Sequence, residues 1–406
     1  MTGTLLFLIT AIFNPAMAIG PDAASLNPAQ LAYPERQGFG CRILDVSAVL
    51  GNNSFSLSQY NRYTGAFLDD AAKLDIVGSV PRTGMGMHFG AQASAAEFGY
   101  GTMAVSVRTV GSADATLPYD AFELALYGNE LNRVYKADDL RGRALVFMRA
   151  GASAGSAIGR NVMAGLGVHY LRGLFYGELT DCGASFITTP EAFASDGRVA
   201  YRTATGGSGW SVDAGLAYLR NNWRLSLACL DISPGITWTD GVSEGVYAYR
   251  LDSSNAYEVS RGGRFKQTFD RGAGATFMTA VPLVVNAGAG WRVFEWLNCG
   301  ALLQGKFLSR ATTGNWSATA YGEAWPLEWL PVGVEAGVRD GTGAVLGLNA
   351  GLIWHAFAFL LGASDESGLL LGAKGLACHV GINWGAFHNE RDVVHPDVLH
   401  VRYEGS

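Results

Sequence analysis

The sequence predicts an all-β fold: a closed antiparallel up-and-down transmembrane β-barrel, preceded by short N-terminal helical and plug segments. Three observations predict it. The first is alternation. In 283–293, Leu283, Val285, Ala287, Ala289, Trp291 and Val293 form one set, and Val284, Asn286, Gly288, Gly290 and Arg292 the other. Period two puts each set on one sheet face, here a large apolar face and a small or polar one. The segments 297–307 and 376–385 repeat the contrast. A sandwich alternates too, but these segments run about 10–12 residues, nearer a tilted membrane strand than the ~5–6 of globular sheets. The second is composition. Charged residues make up 16% of the chain, against roughly 25% in soluble domains. Glycine, at 54 of 406 residues, is near twice its usual ~7% share. The third is a repeat. Phe294–Gly300 (FEWLNCG) returns as Leu327–Gly333 (LEWLPVG) 33 residues later, each copy at a tight turn. That period holds two strands and two connections, so both turns lie on one rim of a meander.

Along the chain, residues 5–13 form a short apolar run followed by Ala16-Met17-Ala18, an A-x-A cleavage pattern. The run is too short for a membrane helix, so 1–18 reads as a signal peptide, although its n-region lacks Lys and Arg. Residues 19–38 read as an N-terminal plug or hatch, 39–388 as the barrel and 389–406 as a tail. A polar strand is expected from Asn53 to Leu57. Helices are expected at 66–78, with Phe67, Ala71, Leu74 and Val77 on one face, and at 118–127, with Pro118 in the first turn and Gly128 after the end. Such short helices belong in loops or in the lumen, where they would join 20–33 in the plug. Asn221-Asn222-Trp223 and Trp354-His355 extend the short-turn rim, and parity sends 239–281 to the other rim as a long polar loop. Trp223, Trp296, Trp325, Trp329, Trp354 and Trp384 gather near the short turns, as an aromatic girdle would. Cross-strand packing is the plainer reading of the same placement.

The chain also resembles a known family. Gly20–Ala32 (GPDAASLNPAQLA), with its Asn27-Pro28-Ala29 core, is similar to the N-terminal signature of outer-membrane barrels related to the long-chain fatty-acid transporter, a family that includes the shuttle barrel of the type IX secretion system. The stretches 53–84 and 207–231 carry further likeness. The resemblance implies about 14 strands, an N-terminal segment in the lumen holding Asn27, Pro28 and Ala29, and an inward-facing Asp213. It implies the outer membrane of a Gram-negative-type bacterium, with outer-membrane lipid and a hydrophobic small molecule as partners. A scaffold that docks secreted proteins is the alternative. The match departs at the end: Phe387 would suit a terminal aromatic residue, yet a tail follows it, and 399–403 could instead complete the closing strand.

Little else points to chemistry. Gly151-Ala-Ser153-Ala-Gly155 fits G-x-S-x-G but lies in a small-residue strand rather than a strand–turn–helix elbow, so no catalytic residue is expected and the protein is not read as an enzyme. His388, His395 and His400 share no helix face and read as a solvated tail, so no metal and no cofactor are expected. Arg261, Arg264 and Lys266 form a small basic cluster on the long loop, either solvated or a contact for phosphates or a carboxylate ligand. The net charge of −6 argues against nucleic acid. Five cysteines, far apart and odd in number, give no disulfide framework and read as small apolar strand residues.

Overall fold

The computed structural model describes residues 18, 21–33, 39–94, 96–255, 258, 265–307, 315–327, 329–339, 343–354 and 356–385. Its wall is a closed antiparallel barrel of 14 staves. The early staves are β1 (Phe39–Asn52), β2 with β3 (Met85–Ser94, Glu97–Tyr100) and β4 (Met103–Leu117). The short β5 (Val134–Lys136) flanks the upper end of the very long β7 (Val162–Thr188), which follows β6 (Arg141–Ala157). The next stave joins β8 (Phe193–Ala204) to β9 (Gly206–Arg220). Two composite staves follow: β10, β11 and β12 (Trp223–Ile232, Ile236–Asp240, Ser243–Ser254), then β13, β14 and β15 (Phe265–Ala273, Phe277–Thr279, Leu283–Phe294). Simple staves finish the wall: β16 (Leu297–Phe307), β17 (Asn315–Leu327), β18 (Leu330–Arg339), β19 (Gly343–Trp354), β20 (Phe357–Glu366) and β21 (Gly375–Gly385). β21 closes on β1, from Gly40 opposite Gly385 to Gly51 opposite Gly375. Closure therefore needs nothing from 399–403, which lies with Phe387 and the tail outside the described residues.

Alternation works as the sequence predicts. On β15 the Leu283 set faces outward, and Asn286 is buried on the inner face. On β21 Leu376, Val380 and Trp384 are exposed, whereas Ala377, His379 and Asn383 are buried inside. The Glu-Trp turns, the 221–222 turn and the turn after Trp354 share one rim. Trp223, Trp291, Trp296, Trp329, Trp354 and Trp384 stand exposed near it, and Trp223 stacks on its cross-strand partner Trp291 at 5.5 Å. All five cysteines are free and lie on strands.

The other rim corrects several expectations. Residues 239–281 are not a loop: β11–β14 fill most of the span, and β12 pairs with both β8 and β13. Every residue of β13 is exposed, Phe265 and Phe269 included, so neither face is buried and the inside–outside contrast that reveals a strand is missing. Asn53–Leu57 is not a strand either. The Asn52 side chain accepts from the Ser54 and Phe55 amides at 2.8 and 2.6 Å, ending β1. Ser56 and Gln59 then form a capping box on helix α2, which follows the N-terminal helix α1 (Pro21–Leu26) and spans Leu57–Tyr63. The helix expected at 66–78 is α3 (Asp70–Ser79), capped by Asp69. Phe67 falls outside it at 92% exposure, and Leu74 is exposed. Tyr63 donates to Asp75 of α3, which holds that carboxyl below its usual range and pushes the phenol up. Helix α4 (Tyr119–Tyr127) ends at Gly128, whose φ of 79° suits glycine. Rather than joining the plug, α3 and α4 pack on each other at the long rim around Val77, Val80 and Tyr119.

Candidate functional site

The N-terminal segment lies inside the barrel. Asn27 follows α1 and caps a 3₁₀ turn, Pro28–Ala32: its Oδ1 accepts from the Ala29 amide at 2.9 Å. Its Nδ2 donates to the carbonyls of Leu216 and Leu227 at 2.9 and 3.3 Å, which are cross-strand partners on β9 and β10. One amide thus caps the turn and ties it to two staves. Asn27, Pro28 and Ala29 are all buried. The wall is shaped to receive them. Gly155, Gly165 and Gly215 stand in register across β6, β7 and β9. A Cβ on Gly155 would come within 2.8 Å of the Pro28 carbonyl oxygen, and one on Gly215 within 3.2 Å of Pro28 Cδ. On Gly165 it would strike the Pro28–Ala29 peptide itself. The three glycines make a flat seat that no other residue leaves open.

Further ties hold the segment. Asn286 donates to the Leu26 carbonyl at 3.3 Å, and Arg224 lies 5.1 Å over the Tyr33 ring. Asp22 pairs with Arg42, which also meets Asp45 at 3.0 Å and Glu97 at 3.1 Å. Glu97 in turn pairs with Arg108 at 2.7 Å, and His379 meets Asp45 at 3.2 Å. This network sits at the break between β2 and β3, where Ala96 has φ 68°.

Asp213 faces the interior at 0% exposure. It pairs with Arg149, meets His169 Nε2 at 3.1 Å and accepts from the Asp231 amide at 2.8 Å. Arg149 also pairs with Asp231 at 2.9 Å. Of the basic loop cluster, Arg261 and Arg264 lie outside the described residues. Lys266 is on β13, 3.8 Å from Asp252, and takes no part in the lumen. Ser153 is buried within uninterrupted β6, with no elbow around it. The tail histidines lie outside the described residues.

Between the segment and the wall lies a cavity of about 170 Å³. Ser25 and Leu26 form its plug side. Its apolar lining is Val110, Leu145, Phe147, Leu230, Val281 and Val284. Leu145, Phe147 and Val281 continue into a dry cluster with Leu171, Tyr176 and Trp238. Charged residues flank these on the same or adjacent strands: Arg108, Asp114, Arg143, Arg149, Asp231 and Lys306. Sequence reasoning singled out only Asp213 among the buried ionic groups. The available signal was parity: Arg149, Gly151, Ser153 and Gly155 share one face of β6, so a charge on the small-residue face marks the lumen.

Fold and site together define a closed barrel whose N-terminal segment is buried against the wall beside a cavity. Residues 194–364 match a family model described as a family of unknown function (DUF5723). No curated protein matches the chain. Solved structures do. The toluene transporter TbuX of Ralstonia pickettii aligns at TM-score 0.50 and 12% identity, over 91% of this chain and 94% of that one. A deletion mutant of the monoaromatic hydrocarbon channel TodX of Pseudomonas putida aligns at 0.55 and 10%, over 91% and 94%. A FadL homologue of Pseudomonas aeruginosa aligns at 0.52 and 11%, over 91% and 95%. At these identities the likeness establishes the fold, the one expected from the Asn27-Pro28-Ala29 segment.

Proposed function

We propose that this protein is a non-enzymatic barrel of the outer membrane of a Gram-negative-type bacterium that passes a hydrophobic small molecule through its plugged lumen. The observation that carries the reading is the cavity between the N-terminal segment and the wall, with Leu145, Phe147 and Val281 in its lining. An apolar molecule gains by leaving water for Leu145, Phe147 and Val281, and the hatch keeps the lumen from being an open aqueous pore. The fold likeness to hydrocarbon transporters supports this. Among the described residues no helix is long and apolar enough to cross a membrane, so the crossing falls to the strands. The basic cluster Arg261, Arg264 and Lys266 serves at most as an outer contact in this scheme.

Entry of a hydrophobic dye such as N-phenylnaphthylamine into intact cells tests the reading. Cells carrying the protein should take it up several-fold faster than cells without it, and Val281→Arg, which places a charge against Leu145 and Phe147, should remove the gain. Equal uptake with and without the protein would sink the proposal. The membrane setting has its own test. Leu348 sits mid-strand on the outer face at 65% exposure. Leu348→Arg should cost about 2–4 kcal/mol in lipid, and Trp354→Arg at the rim about 0–1, by urea unfolding in vesicles. Equal costs would argue against a lipid-facing belt.

A second reading, a scaffold docking secreted proteins as the type IX shuttle barrel does, draws on β12 and β13. These strands stand above the short staves, and β13 is exposed throughout. The dye assay separates the two, since a scaffold gives no uptake.

A further inference from the structure

We propose that two copies of this chain pair face to face above the membrane, through the outward side of the sheet that β7, β8, β12 and β13 raise over the long rim. This pairing goes beyond the transport reading and needs only its membrane setting. β8, β12 and β13 run in unbroken register from Thr203, Ser243 and Ala273 to Ser195, Leu251 and Phe265. Arg202 fixes which side faces the lumen. It pairs with Glu244 at 2.7 Å and lies 4.7 Å over the Phe277 ring, which packs on Tyr176 and Trp238 of the inner cluster. Side chains alternate along a strand, so Asp196, Arg198, Glu244, Arg250, Lys266 and Asp270 share the inward side with Arg202. The outward side carries Tyr201, Tyr247, Tyr249, Leu251, Phe265 and Phe269. The one charge on it, across this register, is Arg271, which donates to Ser243 Oγ at 3.1 Å.

Lipid does not explain this segregation. Val199, also on the outward side, pairs with Cys182, which is 20 residues past the start of β7 at Val162. At ~3.3 Å per residue and a tilt near ~40°, that row lies about 50 Å above the short rim, about twice the height of a lipid-facing belt. In water an apolar face gains by being covered. Loss of charge with enrichment of Tyr and Phe is the composition of the buried centre of a protein interface. The face is also smooth. Tyr249 lies over Gly197 and Tyr201 over Gly245, each on its cross-strand glycine. Tyr249 also stacks on Phe265 at 6.2 Å.

Orientation identifies the occupant. The face looks sideways from the barrel, so a two-fold axis along the membrane normal brings it against the same face of a second copy. Such a contact is isologous, and a face without unmatched charge meets no repulsion in it. Strands tilted by about 40° in both copies cross at about 80°, close to the orthogonal class of sheet packing. Four strands of about nine residues offer about 500 Å² per copy and about 1,000 Å² in total, the lower bound for a specific interface. The expected dimer is therefore reversible.

The test counts photobleaching steps of singly labelled full-length protein in sparsely loaded vesicles, beside sedimentation in mild detergent over a concentration series. Vesicles should show two-step particles, and sedimentation a monomer–dimer equilibrium. Phe269→Asp should weaken self-association about tenfold or more. Thr268→Asp, the same change on the neighbouring inward residue, should leave it unchanged. Both positions are exposed, and unheated gels should show both variants as folded barrel. Single-step particles from the wild type, or a dimer that survives Phe269→Asp combined with Tyr247→Asp, overturns the assignment. So does a monomer whose face is instead covered by a different protein. Dye uptake reads the transport proposal separately, so either can fail while the other stands.

Discussion

Replacing Gly165 by leucine is expected to expel the N-terminal segment from the lumen and turn an occluded barrel into a conducting one. The added Cβ meets the Pro28–Ala29 peptide, which is backbone and has no rotamer to yield. Overpacking of this kind costs about 1–3 kcal/mol. The hydrogen bonds from Asn27 and Asn286 that hold the segment are worth about 0.5–1.5 kcal/mol each. The clash is of the same size as one or two of these bonds, and a wider side chain also denies the turn its seat against Gly155 and Gly215. The wall need not suffer, because Gly165 keeps its backbone pairing on both sides with β6 and β9. Planar-bilayer recording should show a steady conductance in the variant that the wild type lacks, and added protease should reach the freed segment. Gly111→Ala is the control, since a Cβ there meets nothing nearer than 3.7 Å. Wild-type conductance and protection in Gly165→Leu would show that the seat is not what holds the plug.

The second large effect is expected at Asp213. Asp213→Ala leaves Arg149 and His169 facing a buried gap and the Asp231 amide without its acceptor. Breaking a buried pair from one side costs roughly 3–5 kcal/mol, because the remaining charge stays desolvated. Arg149→Met in the same chain removes that charge, so the double variant should be more stable than Asp213→Ala alone, despite the partner Asp231 also loses. Urea unfolding in vesicles measures the coupling. Additive losses would mean that the two side chains do not share one network.

These two sites also show how far the sequence could be read. The strands near the short turns were legible because residues such as Leu283 to Val293 alternate a lipid-sized face with a small or polar one, and their rim was legible from the Glu-Trp repeat. The stretch from β11 to β14 was not: β13 is exposed on both faces and lacks an inside–outside contrast, and β11 and β14 are only five and three residues long. α2 was hidden because Ser56 and Gln59 form a capping box in a stretch whose polarity also fits a strand. Asn27, Pro28 and Ala29 stood out as a motif, but their seat did not. Gly155, Gly165 and Gly215 come together only through the register of three strands. The ionic partners are equally remote: Arg149 and Asp213 lie 64 residues apart, and Asp45 and His379 lie 334 apart. A polar lumen residue looks like any loop residue until the stagger of the barrel fixes what it faces.

Closure by β1 and β21 has a temporal meaning. Contacts between the two ends of the wall cannot form until nearly the whole chain is present, and pairings so distant in sequence are slow to find. The seat of the plug is different. Its three glycines and the carbonyls that hold Asn27 all precede residue 228, on staves that pair with their sequence neighbours. A half-built, still open wall already offers the complete cradle. The N-terminal segment can therefore be laid against it from the side and enclosed when the last strand docks, with no threading through a finished ring.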